Sequence, residues 1–267
     1  MSIRKFELTS EFITVFGIKL FRIKALIAFG NVEVGELGGF VEKEENLSHD
    51  NRAWIWGNAR VWGNAEIWGN AEIWGNARVW GNAEISGNAE IWGYAEICGN
   101  ARVWGNAEIS GNAEIWGYAE ISGNARVWGN ARVSDSARVW GNVKISGNAE
   151  ISGYAEIWGN AEISGNAEIS GNAEIWGNAE ISGNARISKP IHVLVIGALG
   201  SRNGFTTFFR SKSKEILVKC GCFNNNIDEF EKAVTEEHAG TKHEKTYKAA
   251  IALAKLQIEL NDESEEN

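Results

Sequence analysis

Hydrophobic and polar positions recur with a fixed six-residue period between Ala53 and Ser188. Each repeat reads Ala, Glu or Arg, Ile or Val, Trp or Ser, Gly and Asn, with few departures. The branched aliphatic position is Ile or Val in all 23 repeats from Ile55 to Ile187, and Val143 is the single replacement of the Ala two residues earlier. A short fixed period of this kind indicates a β-solenoid rather than an ordinary globular core.

The spacing within one repeat predicts which side chains lie inside the solenoid. In an extended segment, Ala65 and Ile67 lie on one face, and Glu66 and Trp68 lie on the other. The Gly-Asn pair that follows predicts a corner, because both residue types tolerate the positive φ of a tight turn. Three such sides close a triangular coil. The fold class predicted is therefore mainly β, with a parallel β-helix of about 7–8 coils over residues 31–188.

The segments on either side of the repeats predict separate end pieces, which cover the open edges of the sheets. Residues 1–30 hold two apolar stretches on either side of Gly17 and predict a β-hairpin cap. The repeats stop at Lys189-Pro190, and residues 189–260 predict a small C-terminal α+β domain. Residues 261–267 are acidic and predict a disordered tail.

The C-terminal domain is predicted to contain three strands and two helices, in the order βββαα. Asn203-Gly204 is a strong signal for a two-residue hairpin turn. Asn226 and Thr241 each stand three residues before a Glu, as N-cap residues do, and each precedes an apolar stripe. The predicted strands cover residues 191–196, 205–210 and 216–222.

The repeat resembles that of the hexapeptide-repeat proteins, which fold as left-handed parallel β-helices and belong by fold to the trimeric acyltransferase-like superfamily. The resemblance covers the chain from Ala53 to Ser188, and the flanks Leu20–Leu26 and Gly35–His49 are similar to phage and prophage members. The stretches Gly200–Gly204 and Cys220–Phe223 are also similar to those of phage members. The resemblance implies a left-handed coil, although parallel crossovers are normally right-handed, and it implies trimers that pack side by side.

The activities of that superfamily do not carry over to this chain. Its acyltransferases use a catalytic His and a loop extruded from a coil, and its carbonic-anhydrase-like members use several His as metal ligands. This chain has no His between His49 and His192, and no loop interrupts the repeats. General-base catalysis near neutral pH needs such a titratable group. We therefore expect a non-enzymatic structural or binding protein without a cofactor, and an enzymatic activity stays open only for the C-terminal domain.

The outward Trp residues are the candidate interface. Stacking every third repeat places them on three ladders, and an exposed aromatic surface of this extent is unusual for a monomer. Trp is also enriched in interface hot spots. The Trp side chains either shield the solenoid wall, mediate self-association with a trimer favoured, or bind a host protein or a sugar. The interface candidates are Trp56, Trp62, Trp74, Trp80, Trp92, Trp140, Trp158 and Trp176.

The charge balance narrows the class of partner. The net charge is −9 at pH 7, from 26 Lys and Arg against 35 Asp and Glu. Nucleic-acid binders usually carry a basic surface, so direct binding of nucleic acid is not expected. An acidic phage antagonist of a host defence or DNA-handling protein is an alternative, although the charge density of the repeats is well below that of duplex DNA.

The C-terminal domain offers candidates for a small anionic ligand or a metal. The loop Gly197–Gly204 is similar in composition to an anion-binding loop. It leads into a strand, however, so it lacks the helix N-terminus whose dipole stabilises a bound anion, and a plain hairpin turn is favoured. Cys-x-Cys on one strand face is not the usual zinc spacing, which favours buried structural cysteines and no metal. The ligand candidates are Ser201, Arg202 and Thr206, and the metal candidates are Cys220, Cys222, His238 and His243.

The cysteine count and the hydropathy pattern predict the compartment. Three Cys are too few for a disulfide framework, and no apolar run reaches the length of a membrane span. Charged residues also interrupt every apolar stretch near the N-terminus, so no signal-peptide core is expected. We expect a protein of the bacterial cytoplasm.

Overall fold

A computed structural model describes residues 4–261 of the chain. The chain divides after Gly141 into two compact units. Both units contain short parallel strands of a β-solenoid, and together they hold 23 such strands, or about eight turns. This confirms the predicted mainly-β solenoid. The predicted disordered tail lies, except for Asn261, outside the described residues.

The first unit opens with three longer strands at Phe6–Val15, Ile18–Ala25 and Leu37–Val41, followed by a 3-10 turn at Glu44–Asn46. Its solenoid strands follow every six residues. They are Trp54–Ile55, Arg60–Val61, Glu66–Ile67, Glu72–Ile73, Arg78–Val79, Glu84–Ile85, Glu90–Ile91, Glu96–Ile97, Arg102–Val103, Glu108–Ile109, Glu114–Ile115, Glu120–Ile121, Arg126–Val127, Arg132–Val133 and Arg138–Gly141.

The second unit contains solenoid strands and the C-terminal region. Its solenoid strands are Lys144–Ile145, Glu150–Ile151, Glu156–Gly159, Glu162–Ile163, Glu168–Ile169, Glu174–Ile175, Glu180–Ile181 and Arg186–Ile187. A 3-10 turn at Pro190–His192 leads into the C-terminal region. That region has strands Val193–Leu199, Gly204–Arg210, Ile216–Cys220 and Phe223–Asn226, then helix α1 at Ile227–His238 and helix α2 at Lys242–Gln257.

Within each unit, solenoid strands that lie 18 residues apart along the chain pair in parallel and in register. Within the first unit, Ile97 faces Ile115 across such a pair, and the Trp116 amide donates to the Val133 carbonyl over 3.0 Å. Ala113 and Ile115 are fully buried, whereas Trp116 is only half-buried on the outer face. The period-2 geometry of a strand therefore sends Ala and Ile inward, as the repeat predicts.

The corners between strands use the Gly and the Asn of each repeat in different ways. Gly105 has φ +78°, and a Cβ there would lie 2.9 Å from the Gly123 backbone nitrogen, so this position needs Gly for both reasons. Gly and Asn both tolerate positive φ, but at corners such as Gly69-Asn70 only the Gly adopts it. The amides of the Asn residues instead form a ladder: Asn70 donates to Asn88 over 3.1 Å, and Asn88 donates to Asn106 over 2.9 Å.

The N-terminal hairpin turns at Phe16-Gly17, which both have positive φ, and it continues one wall of the first unit. Strand Leu37–Val41 carries this extension, since it pairs with the hairpin on one side and in parallel with Arg60–Val61 on the other. The amide of Asn46 donates to the carbonyls of Gly63 and Ala65 over 3.1 and 2.8 Å. These bonds satisfy backbone groups at the first turn of the solenoid.

The C-terminal region is a four-stranded antiparallel sheet with two helices, so the predicted order βββαα becomes ββββαα. The missed strand, Phe223–Asn226, pairs with Ile216–Cys220. Both predicted helix caps form, because the side chains of Asn226 and Thr241 accept from amides three residues on. The sheet also contacts the solenoid strands of its own unit: the Thr207 hydroxyl accepts from the Glu180 amide over 3.0 Å.

Candidate interaction surfaces and the C-terminal cleft

The outward Trp side chains differ widely in exposure. Trp68 and Trp176 are 47% and 55% exposed, and Trp74, Trp104 and Trp128 are each 37% exposed. The rings on two walls shield one another, because Trp56 stacks on Trp74 and Trp62 stacks on Trp80 at centroid distances of 4.8 and 5.0 Å. The other interface candidates, Trp56, Trp80, Trp92, Trp140 and Trp158, are half-buried.

Trp62 does not belong to the candidate interface. It is only 6% exposed, because it packs with Leu20 and Phe40 of the N-terminal strands in a small apolar cluster. The repeat pattern predicted an open ladder at Trp62. That prediction is wrong because the hairpin continues the same wall and covers the first turn of the ladder.

A second Trp is hidden by the segments before the repeats. Trp54 is fully buried against the rings of Phe6 and Phe29, at centroid distances of 6.4 and 5.4 Å. The buried Lys5 ammonium donates to the Ala53 carbonyl over 2.9 Å. Burial lowers the pKa of Lys5 to about 8. The start of the solenoid is therefore sealed by the chain itself.

One wall of the first unit carries a regular alternation of large and small residues. Rungs with an outward Arg also carry a Trp, and the rungs between them carry a Glu and a Ser. Each Arg is aligned with the neighbouring Glu residues: Arg102 pairs in register with Glu84 and with Glu120. We call this the alternating row, and it consists of Glu84, Ser86, Arg102, Trp104, Glu120, Ser122, Arg138 and Trp140.

The charges of the alternating row are paired within the chain but remain accessible. The Arg102 guanidinium lies 3.3 Å from the Glu84 carboxylate, and Arg138 lies 3.4 Å from Glu120. All four side chains are about one third to one half exposed. Exposed pairs of this kind contribute little stability, so either partner can exchange for an opposite charge on another molecule.

A neighbouring wall of the first unit, which we call the glutamate-rich wall, carries like charges on successive rungs, and its aligned charged residues are Glu72, Glu90, Glu108 and Arg126. Glu72, Glu90 and Glu108 follow one another in register, as the repeat spacing predicts, and Arg126 pairs with the last of them over 2.9 Å. Burial raises the pKa of Glu72, and the charge of Glu90 raises it further. Aligned like charges are mildly destabilising. This wall also carries Trp74 and Trp128, so aromatic exposure is not confined to the alternating row.

The C-terminal region encloses a cleft of about 510 Å³ between the sheet and helix α1. Two aromatic residues, Phe223 and Phe230, pack 5.0 Å apart on its floor, and Phe205 is 44% exposed at its side. Polar groups lie around this apolar surface. The polar residues that line the cleft are Ser201, Arg202, Cys220, Cys222, Glu237, His238 and Tyr247.

The structure brings two of the three predicted ligand residues together. Ser201 and Arg202 line the cleft from the turn between the first two strands of the sheet. Thr206 does not, because it is fully buried and its hydroxyl donates to the Cys220 sulfur over 3.2 Å. Glu237 lies on helix α1 and reaches the same cleft, and no motif in the sequence marks it. The hairpin forms, but the predicted two-residue turn at Asn203-Gly204 is wrong: Leu199 pairs with Gly204, so the turn comprises the four residues 200–203 and Gly204 begins the second strand.

The predicted metal candidates do not form a metal site. Cys222 lies in the turn after the strand that ends at Cys220, so the two do not share a strand face as expected. The rings of His238 and His243 lie 5.9 Å apart. Between residues 4 and 261, no three or more His, Cys, Asp or Glu side chains gather as metal ligands would. Burial and the neighbouring Cys220 raise the pKa of Tyr247 to about 12, so this phenol stays protonated at neutral pH.

Comparison with known proteins adds no relative. No protein-family model matches this chain, and no curated protein matches it. In the part of the chain that the structure describes, no helix is both long enough and apolar enough to pass through a bilayer.

Proposed function

We propose that this protein is a non-enzymatic scaffold that associates with a second copy of itself through the alternating row. The observation that carries the proposal is the coupling of charge and size in the alternating row, where Arg102 and Arg138 accompany a Trp and Glu84 and Glu120 accompany a Ser; the rung before the row, Glu66 with Trp68, does not follow this pattern. When two copies of this surface meet in antiparallel orientation, each Arg-Trp rung of one copy faces a Glu-Ser rung of the other, so charge and size are complementary. Trp and Arg are also the residue types most enriched in interface hot spots.

A second copy docks in the antiparallel direction about a two-fold axis between Arg102 and Glu120. Such a symmetric pairing uses the same patch on both partners. Arg102 then faces Glu120 of the other copy, and Trp104 faces Ser122. Trp104 and Trp140 stand two rungs apart, which is roughly 10 Å at the spacing of paired strands. The smaller Ser rung between them leaves room for an opposing indole. Opposed charges of opposite sign fix the register.

The expected association is weak. Four rungs of four residues cover about 19 by 13 Å, which is well below the roughly 800 Å² that each partner buries in a standard interface. We therefore expect a dissociation constant on the order of 10–100 μM. Weak contact suits a scaffold that assembles only where its local concentration is high.

Sedimentation velocity over a concentration series tests the proposal. Trp104→Ser should shift the monomer–dimer midpoint at least tenfold to higher concentration, since it removes a central aromatic contact. Trp128→Ser is the matched control, because Trp128 is also 37% exposed but lies on the glutamate-rich wall. Equal effects of the two substitutions, or a monomer at every concentration, would contradict this pairing.

A charge exchange between two chains gives a second, independent test. Arg102→Glu alone and Glu120→Arg alone should each remain monomeric, because like charges then face each other across the axis. A mixture of the two variants should associate, because each unlike pair is restored between chains. A mixture that stays monomeric while the unaltered protein dimerises would rule out the proposed register.

We also propose that the solenoid is left-handed and of the phage hexapeptide type, and that it acts in the bacterial cytoplasm. The six-residue period and the flanking segments support this assignment. The same resemblance favours a trimer. A threefold mass in solution would support the hexapeptide mode of assembly and overturn the two-fold pairing.

The glutamate-rich wall instead supports binding of a basic host protein, which co-purification from a host lysate would detect.

A further inference from the structure

The C-terminal cleft leads to an inference that is independent of self-association by the solenoid. We infer that the cleft binds a free α-amino acid with an aromatic or large aliphatic side chain. Its volume of about 510 Å³ falls within the range of small-molecule sites, roughly 300–1,000 Å³. Such sites combine an apolar lining with a few polar groups that fix orientation.

The floor of the cleft fits the side chain of such a ligand. Phe223 and Phe230 form its base, and Val234 of helix α1 packs beside them. Phe205 keeps 44% of its surface exposed along the side of the cleft. An exposed Phe beside an apolar floor gains from any ligand that covers it, because apolar surface is then removed from water.

Two opposite charges face the cleft from different elements, and they fit the α-substituents. Arg202 lies in the turn between the first two strands, and Glu237 lies in the last turn of helix α1. Both side chains are exposed, and neither makes an ion pair with any residue between positions 4 and 261. The α-carboxylate of the ligand pairs with Arg202, and its α-ammonium pairs with Glu237.

The remaining groups around the cleft narrow the ligand class further. A ligand with only negative charge would leave the carboxylate of Glu237 unpaired in the cleft, which disfavours the small anionic ligand that the loop sequence left open as an alternative. The His238 ring stacks on Tyr247 with centroids 5.6 Å apart, so both form part of the wall. The turn lies close against this wall, because a Cβ at Gly200 would collide with the Tyr247 hydroxyl.

Isothermal titration calorimetry on the full chain tests the inference with four probes. L-phenylalanine and L-leucine should bind. N-acetyl-L-phenylalanine lacks the ammonium and phenethylamine lacks the carboxylate, so each should bind at least tenfold more weakly than phenylalanine. The probes are also titrated into Arg202→Gln and Glu237→Gln. Arg202→Gln should weaken phenylalanine but leave phenethylamine unchanged, and Glu237→Gln should weaken phenylalanine but leave the N-acetyl compound unchanged.

The controls separate recognition from loss of structure. Glu236→Gln changes the neighbouring exposed carboxylate, which does not line the cleft, and it should leave phenylalanine binding unchanged. Ala233→Phe should fill the cleft and abolish binding while the helical circular-dichroism signal is retained. No binding of either amino acid at concentrations on the order of 10 mM would overturn the inference. Equal affinity for phenylalanine and N-acetyl-phenylalanine would overturn it as well. Neither result bears on dimerisation.

Discussion

The repeats and the C-terminal region present two different kinds of surface. In the repeats, every inward position holds a small or branched residue at fixed spacing, so the interior is filled evenly. The residues that we propose for binding therefore lie on the flat outer walls. In the C-terminal region, helices and strands of unequal length pack without a period. That packing leaves the cleft between Phe223, Phe230 and Arg202. Regular packing therefore leaves flat walls, which suit the proposed contact between two copies, whereas irregular packing leaves a cleft, which suits the proposed small-molecule site.

The largest expected effect tests how tightly the solenoid interior is filled. Ala113→Leu adds three carbon atoms at a fully buried position, and we expect it to lower the free energy of unfolding by about 3 kcal/mol. Denaturant unfolding followed by Trp fluorescence measures this directly, because all 13 Trp lie between Trp54 and Trp176.

The matched substitution in the C-terminal region is Ala249→Leu. Ala249 is exposed on helix α2, so the change should alter stability by less than about 0.5 kcal/mol. Equal losses at positions 113 and 249 would show that the interior of the repeats is not filled more tightly than the exposed surface of helix α2.

A smaller loss of stability distinguishes two reasons for a Gly at a corner, namely the close approach of a neighbouring backbone and the positive φ. In Gly105→Ala, the new methyl group would be strained by the positive φ and would also contact the backbone of Gly123. We expect the free energy of unfolding to fall by about 2–3 kcal/mol. Gly240 follows helix α1 with φ +72°, but no atom lies within 4 Å of the place that an added methyl group would occupy. Gly240→Ala should therefore cost only about 1 kcal/mol. Thermal unfolding of the two variants gives the comparison. A larger loss at Gly240 would mean that neighbouring turns do not constrain the corners.

The smallest expected effect concerns the Asn ladder. Asn88→Ala removes an acceptor for Asn70 and a donor to Asn106, and should cost about 1 kcal/mol. Asn76 occupies the same place in another repeat, but Tyr94 stands where its partner amide would be. Asn76→Ala should therefore be nearly neutral. Hydrogen exchange at the adjacent turns would detect the difference, and identical protection in both variants would remove any stabilising role for the ladder.

The sequence predicted much of the fold because the contacts that build the repeats recur at one short, fixed separation along the chain. Ile97 meets Ile115 and Glu84 meets Arg102, each 18 residues apart, and this separation follows from the period itself. The caps at Asn226 and Thr241 were predictable for the same reason, since each concerns residues within one helical turn. The strand Phe223–Asn226 was missed because three consecutive Asn residues show no alternation, and pairing with Ile216–Cys220 decides its conformation.

The candidate sites were less accessible from the sequence. Trp62 looked like every other outward Trp, yet the distant Leu20 and Phe40 bury it. Arg202 was predicted as a ligand residue from its loop, but nothing in the sequence linked it to Glu237 on a later helix. Two such residues meet only when strands and a helix pack together.

By itself, the sequence determined the solenoid, its inward and outward residues and the charge pattern of its walls. These features depend on contacts between neighbouring turns of the solenoid. In a strict repeat, every such contact joins residues at the same separation along the chain. The tertiary structure alone decided which Trp residues stay exposed, how many strands the C-terminal sheet has, and which side chains surround the cleft. Those features arise from contacts between segments with no shared period, so packing rather than local pattern sets them.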